Sequence, residues 1–147
     1  MKTNVALSQT NADYQTGTES RWVNRAAASV RILLGVLLLF SVTNALFNFA
    51  PQPPLPTEAQ AYLGGLFSAP YFFGLLKGTE LFVGVALLTN MFVPLALVVL
   101  APITLNILLF HAILAPAGMP IAVVLLAFHL ATAWSRRESF RVLLAAR

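Results

Sequence analysis

The sequence predicts an all-α fold: an integral membrane four-helix bundle with both termini in the cytoplasm. Three observations predict it. Of 147 residues, 59% are hydrophobic and 10% are charged, whereas a soluble domain carries roughly a quarter charged residues and under half apolar ones. Long apolar segments recur, separated by short polar breaks. Eight of the nine basic residues lie near the two ends: Lys2, Arg21, Arg25 and Arg31, then Arg136, Arg137, Arg141 and Arg147. A soluble fold of this length keeps too much surface in water to hide so much apolar area.

The first span is expected over 32–49. It holds no charge, and at about 1.5 Å per residue it reaches roughly 27 Å, near the hydrocarbon thickness. Trp22 and the arginines before it suit an interfacial approach. Residues 1–20 are polar and read as a disordered cytoplasmic tail rather than a cleavable signal peptide. Pro51, Pro53, Pro54 and Pro56 stop the helix. A short surface helix follows over 57–66, with Thr57 as its cap. The other spans are expected over 71–88, 91–115 and 119–134, within one domain over 21–140, and 141–147 form a basic cytoplasmic tail. The connections at 89–90 and 116–118 are so short that spans two, three and four must be antiparallel neighbours.

Charge sets the orientation. The tails carry the basic residues, and the 50–70 and 115–119 connections carry none. The positive-inside bias therefore places both tails in the cytoplasm, as an even number of spans requires. The same distribution argues against nucleic acid, which needs a basic face on a folded surface. There is no cysteine, so thiol chemistry, disulfides and thiolate metal sites have no donor in this chain.

Polar groups in hydrocarbon are costly and turn inward. The candidates for a ligand pocket are Asn44, Lys77, Glu80, Asn106, His111 and His129. All fall between the outer surface and the midplane, with Glu80, Asn106 and His129 deepest, at roughly 13–15 Å. Ser41, Asn44 and Asn48 share one helical stripe, and Gly74, Lys77, Glu80 and Gly84 another, with the glycines admitting a close neighbour. Lys77 and Glu80, three apart, can meet and neutralise each other. Pro102 frees the carbonyl of Val98. Thr104 and His111 share a face, whereas Asn106 lies about 140° from His111 on an ideal helix, so a kink or groove must bring those two together. No His-x-x-His or Glu-x-x-His spacing occurs, so no metal site is expected, and no catalytic residue is assigned.

The stretch KGTELFVGVALLTNMFVPLALVVLAPITLNILLFHAIL, Lys77 to Leu114, resembles the DoxX family of small four-span membrane proteins through Lys77, Gly78, Glu80, Gly84, Pro102, Ile103, Asn106, Ile107 and His111. The opening RILLGVLLLFSVTNALFNF resembles the family's first span through Arg31, Gly35, Phe40, Asn44 and Phe47, with Leu46 where members often carry a lysine. The resemblance covers about 25–140. It implies a bacterial inner-membrane protein, and some members are membrane subunits of thiosulfate–quinone oxidoreductases. Three functions stay open: a redox-associated subunit binding a quinone, in which His111 or His129 bonds a quinone oxygen and Glu80 handles protons; a non-enzymatic scaffold or chaperone-like subunit; and a small-solute carrier that would have to oligomerise. The expected partners are the lipid bilayer and a redox-enzyme subunit.

Reporter fusions after Arg147 and within 55–60 are expected to report opposite sides of the membrane, the C-terminal one cytoplasmic. A periplasmic signal from the C-terminus would overturn the charge argument.

Overall fold

The computed structural model describes the backbone of residues 2–51 and 54–144 and the side chains of 21–51 and 54–140. Its elements are α1 (Lys2–Phe47), α2 (Thr57–Phe67), α3 (Phe72–Thr89), α4 (Val93–Ile113), a 3-10 turn (Pro116–Gly118), α5 (Met119–Ser135) and α6 (Arg137–Leu144). Among the described residues there is no strand. Four stretches are long and apolar enough to cross a membrane: Arg21–Phe47, Phe72–Thr89, Val93–Ile113 and Pro116–Ser135.

The boundaries follow local chemistry. Asn48 takes a left-handed backbone, φ 50°, and ends α1. Asn90 does the same for α3, its N–H returning to the carbonyls of Ala86 and Leu87. Pro94 and Pro120 sit in the first turns of α4 and α5, where a missing N–H costs nothing. Pro102 lies inside α4, which runs through it unbroken.

Three local expectations change. Thr57 is the first helical residue, not the cap; Pro56 holds the cap position, and no side chain caps the turn. The backbone of 2–20 continues α1 rather than departing from it. Extending an existing helix adds one bond per residue fixed, without the cost of a new nucleus, and this segment has no proline. Finally, α6 crosses the expected boundary at 140 because Phe140 packs against the core. Residues 145–147 of the basic tail, like Pro53, lie outside the described residues.

The four long helices form a ring in which α1 packs on α3 and α5, and α4 packs on α3 and α5. The part of α1 before Arg31 and the end of α5 share one end, here the tail end; the connection from α1 to α3 marks the other, the loop end. At the loop end α2 lies against α3. The core is concentrated towards the tail end, where Leu34, Leu38, Val83, Leu87, Leu97 and Leu100 are almost fully buried. Outward faces are apolar as well: Leu75, Val98, Leu105 and Leu130 are each more than half exposed. Helices apolar all round, with only 22–28% of each span's window buried, need lipid for the remainder.

The closest helix approach is between α1 and α3. A Cβ on Gly84 would lie 2.8 Å from Leu39 Cδ2 and 3.3 Å from the Gly35 carbonyl; one on Gly35 would lie 3.1 Å from the Gly84 carbonyl. Small residues let backbones meet where hydrophobic attraction between helices is absent. Gly74, in the first turn of α3 and expected to help, has nothing within 4 Å of such a Cβ.

Gly84→Val is therefore expected to lower stability by about 1–3 kcal/mol through overpacking, read as a fall in thermal midpoint in detergent. Gly74→Ala is expected to be neutral or stabilising. Equal losses for both would show that the α1–α3 approach does not limit packing.

Candidate ligand-binding cavity

A cavity of about 740 Å³ occupies the loop-end half of the bundle. Its walls come from all four long helices, and α2 roofs it with Tyr62, Leu63, Leu66 and Phe67. The lining begins at Leu37 on α1, ends at Glu80 on α3, and runs from Pro102 on α4 and Ile121 on α5. The polar residues predicted for one half of the membrane thus do gather around a shared space, with one exception.

Its polar floor is a three-membered network. Lys77 Nζ lies 2.9 Å from Glu80 Oε2, and one turn of helix brings the pair together. Ser41 of α1 bridges them, its hydroxyl accepting from Lys77 at 3.1 Å and donating to the same Glu80 oxygen at 3.0 Å. Glu80 is 3% exposed and Lys77 16%. A lone charge here would be expensive, so the pair is held neutral and tied to the neighbouring helix. Oε1 of Glu80 has no partner among the described residues, yet no buried side-chain oxygen is left unsatisfied. That oxygen therefore borders the cavity.

The roof adds a second polar point. The Tyr62 hydroxyl donates to Asn106 Oδ1 at 2.9 Å, and the Tyr62 ring lies 5.7 Å from Phe110. The Asn106 amide NH₂ keeps both donors free. Asn106 and His111 both line the cavity despite their angular separation on α4.

Other candidates are committed to the fold. Asn44 is buried, and its Oδ1 accepts from the Ala50 N–H at 2.7 Å, closing the turn that ends α1. His111 Nδ1 lies 3.0 Å from the Ala115 carbonyl, so this nitrogen holds the end of α4. Gly118 packs against it, and a Cβ there would lie 2.1 Å from the His111 ring and force the ring to move. Both residues still line the cavity, but with less hydrogen-bonding capacity to offer.

His129 is the exception. It does not line the cavity; its Nδ1 lies 2.9 Å from Thr104 Oγ1, and both residues are buried. Thr104 precedes Asn106 by two positions, about 200° round the helix. A bond to Thr104 therefore aims His129 into the α4–α5 seam, away from the face bearing Asn106. Depth alone could not reveal this. His111 shares Thr104's face but lies two turns nearer the loop end, where its ring folds back onto Ala115. Two contributors escaped the sequence reading: Ser41 as the bridge and Tyr62 as the roof donor. Ser41 had a signal in its spacing of three from Asn44; Tyr62, in the loop segment, had none.

Lys77→Ala alone is expected to destabilise more than Lys77→Ala combined with Glu80→Ala, because the single change strands a carboxylate. Thermal unfolding of the four members of the cycle should give a coupling of about 1 kcal/mol or more. Additive effects would contradict the 2.9 Å contact. Compared with family models, with curated proteins and with solved structures, the chain matches none.

Proposed function

We propose that this chain is a DoxX-like, multi-pass subunit of a bacterial inner-membrane redox system, oriented with both tails in the cytoplasm, and that its cavity takes the headgroup of a quinone. One observation carries the reading: an apolar, aromatic-walled space of about 740 Å³ between membrane spans, with a few convergent polar groups at its floor and roof. Ligand sites commonly measure about 300–1,000 Å³ and combine apolar walls with a small number of placed donors.

The residues present fit such a headgroup. Quinone oxygens are acceptors. The Asn106 amide supplies free donors, and Lys77 supplies an ammonium of which two hydrogen bonds are spoken for by Ser41 and Glu80. Phe40, Phe67, Phe72, Phe73 and Phe110 provide flat apolar surface. Oε1 of Glu80 is positioned to accept a proton, with Lys77 balancing the charge. When bound, a quinone supplies two-electron redox chemistry. The chain has no thiol, and its described residues hold no cluster of three or more metal-ligating side chains, so electrons are assigned to a partner protein. The buried Thr104–His129 pair has no part in this role.

A scaffold function has its own specific support, since Asn44 and His111 spend side-chain bonds on backbone carbonyl and amide groups. The two readings separate by lipid extraction of the purified protein. Quinone binding predicts near-stoichiometric quinone in the extract. Asn106→Leu should reduce its retention by about tenfold, the equivalent of about 1.4 kcal/mol. Leu105→Ala, on the lipid-facing side of the same helix, should leave it unchanged. An empty cavity in protein that still purifies with a partner would replace this reading with the scaffold one.

A further inference from the structure

At the tail end lies a second, smaller concavity of about 320 Å³. It is bounded by Asn24, Arg31 and two alanines of α1, by Asn90 of the α3–α4 turn, and by Ser135 and Arg136 where α5 ends. We propose that it is a binding site for the phosphate group of an anionic phospholipid in the cytoplasmic leaflet.

Two guanidinium groups share this space, and none of the described residues that line it is a carboxylate. Among the described residues the ion pairs are Lys77–Glu80 and Arg137–Glu138, and neither involves Arg31 or Arg136. Arg31 is 9% exposed, and its one hydrogen bond is donated by Nη1 to the Leu87 carbonyl. Arg136 donates through Nη2 to Asn90 Oδ1. A guanidinium has five N–H donors. Each is fixed by one bond at the tail end of α3, Arg31 to Leu87 in its last turn and Arg136 to Asn90 just beyond it, and most of their donors remain. No unpartnered side-chain nitrogen of either residue is buried, and both residues line the concavity. Two like charges held together on separate segments of the chain, with donors to spare, form a receptor for an anion with several acceptor oxygens, and phosphate has that geometry.

Position selects the lipid. Arg31 immediately precedes the uncharged stretch 32–47, and Arg136 immediately follows α5, so both stand where apolar span meets polar flank. Trp134, 72% exposed, stands two residues before Arg136 with Arg137 stacked over its ring at 5.7 Å, while Trp22, 65% exposed with Arg25 at 5.8 Å over its ring, lies further out along α1. Exposed tryptophans of this kind sit among headgroups. Basic pockets between spans on the cytoplasmic side meet a leaflet rich in anionic lipid. Arg31 and Arg136 lie inside the cleft while Arg25 and Arg137 lie on its exterior, which separates a specific site from general attraction.

The test compares the full-length protein in nanodiscs of phosphatidylcholine with nanodiscs of an equimolar phosphatidylcholine–phosphatidylglycerol mixture, reading the thermal midpoint and the lipid retained after delipidation. Phosphatidylglycerol should raise the midpoint and be retained at about one molecule per chain. Arg136→Gln should weaken retention about tenfold, as expected for losing one charge-assisted contact. Arg31→Gln should act likewise, and Arg136→Gln serves alone if Arg31→Gln does not fold. Arg137→Gln removes the same charge outside the cleft and should change little. An equal loss with Arg137→Gln would assign the effect to diffuse surface charge and overturn the site. Millimolar inorganic phosphate added to phosphatidylcholine discs should not reproduce the shift; if it does, the ligand is free phosphate and the lipid assignment fails.

Discussion

The Lys77–Ser41–Glu80 network is the constraint on which the rest of the bundle depends. Hydrocarbon offers a charged side chain no partner, so a lysine and a glutamate placed within a span must find each other or face the interior. Their spacing of three lets them meet on α3 itself, and Ser41 extends the arrangement to α1. The face of α3 that bears them is thereby fixed against α1. One turn deeper, the same face carries Gly84, opposite Gly35, and the two backbones close on each other there. Tight contact below and a polar tie above set how α1 and α3 diverge towards the loop end, and the cavity occupies the space that opens.

The two ends of the bundle solve different problems. At the loop end, neutral or mutually neutralised groups surround an apolar space, and much of their hydrogen bonding serves the chain itself. Asn44 closes the end of α1, His111 holds the end of α4, and Tyr62 ties the roof to Asn106. At the tail end, charge is left unbalanced. Arg31 and Arg136 grip the tail end of α3 and the residue that follows it, while Trp22 and Trp134 stand outside with stacked arginines. A cavity suited to an uncharged headgroup and a cleft suited to an anion thus lie towards opposite ends of the bundle, with leucine-rich core between them.

The spans were legible because two coarse quantities decide them: hydropathy over a fixed length, and short connections that force antiparallel neighbours. Helix ends moved by one or two residues where asparagines took left-handed backbone, as Asn48 and Asn90 do. The cavity was legible in part. Lys77 and Glu80 declare themselves by charge and spacing, and Asn106 and His111 by polarity at the right depth. Rotation about the helix axis was harder to read. His129 has the depth of Glu80 but faces Thr104, and Gly74 shares a stripe with Gly84 without touching a neighbour. Depth follows from counting residues along one helix, whereas facing depends on which helix stands beside it. Tyr62 belongs to a helix outside the spans, so neither quantity applied to it.

The absence of cysteine from the sequence makes direct measurement of the cavity's opening straightforward. Single substitutions Asn106→Cys, Leu105→Cys and Thr104→Cys place a thiol successively at the cavity wall, towards lipid and in the buried seam of one helix. Intact cells are treated with a membrane-impermeant maleimide, with solubilised protein as the reference for full reaction. A cavity reached by water at an outward-facing loop end predicts rapid labelling at position 106, with 104 and 105 protected until solubilisation. Protection at 106 equal to that at its two neighbours would contradict the cavity, and with it the proposal that these four spans enclose a ligand.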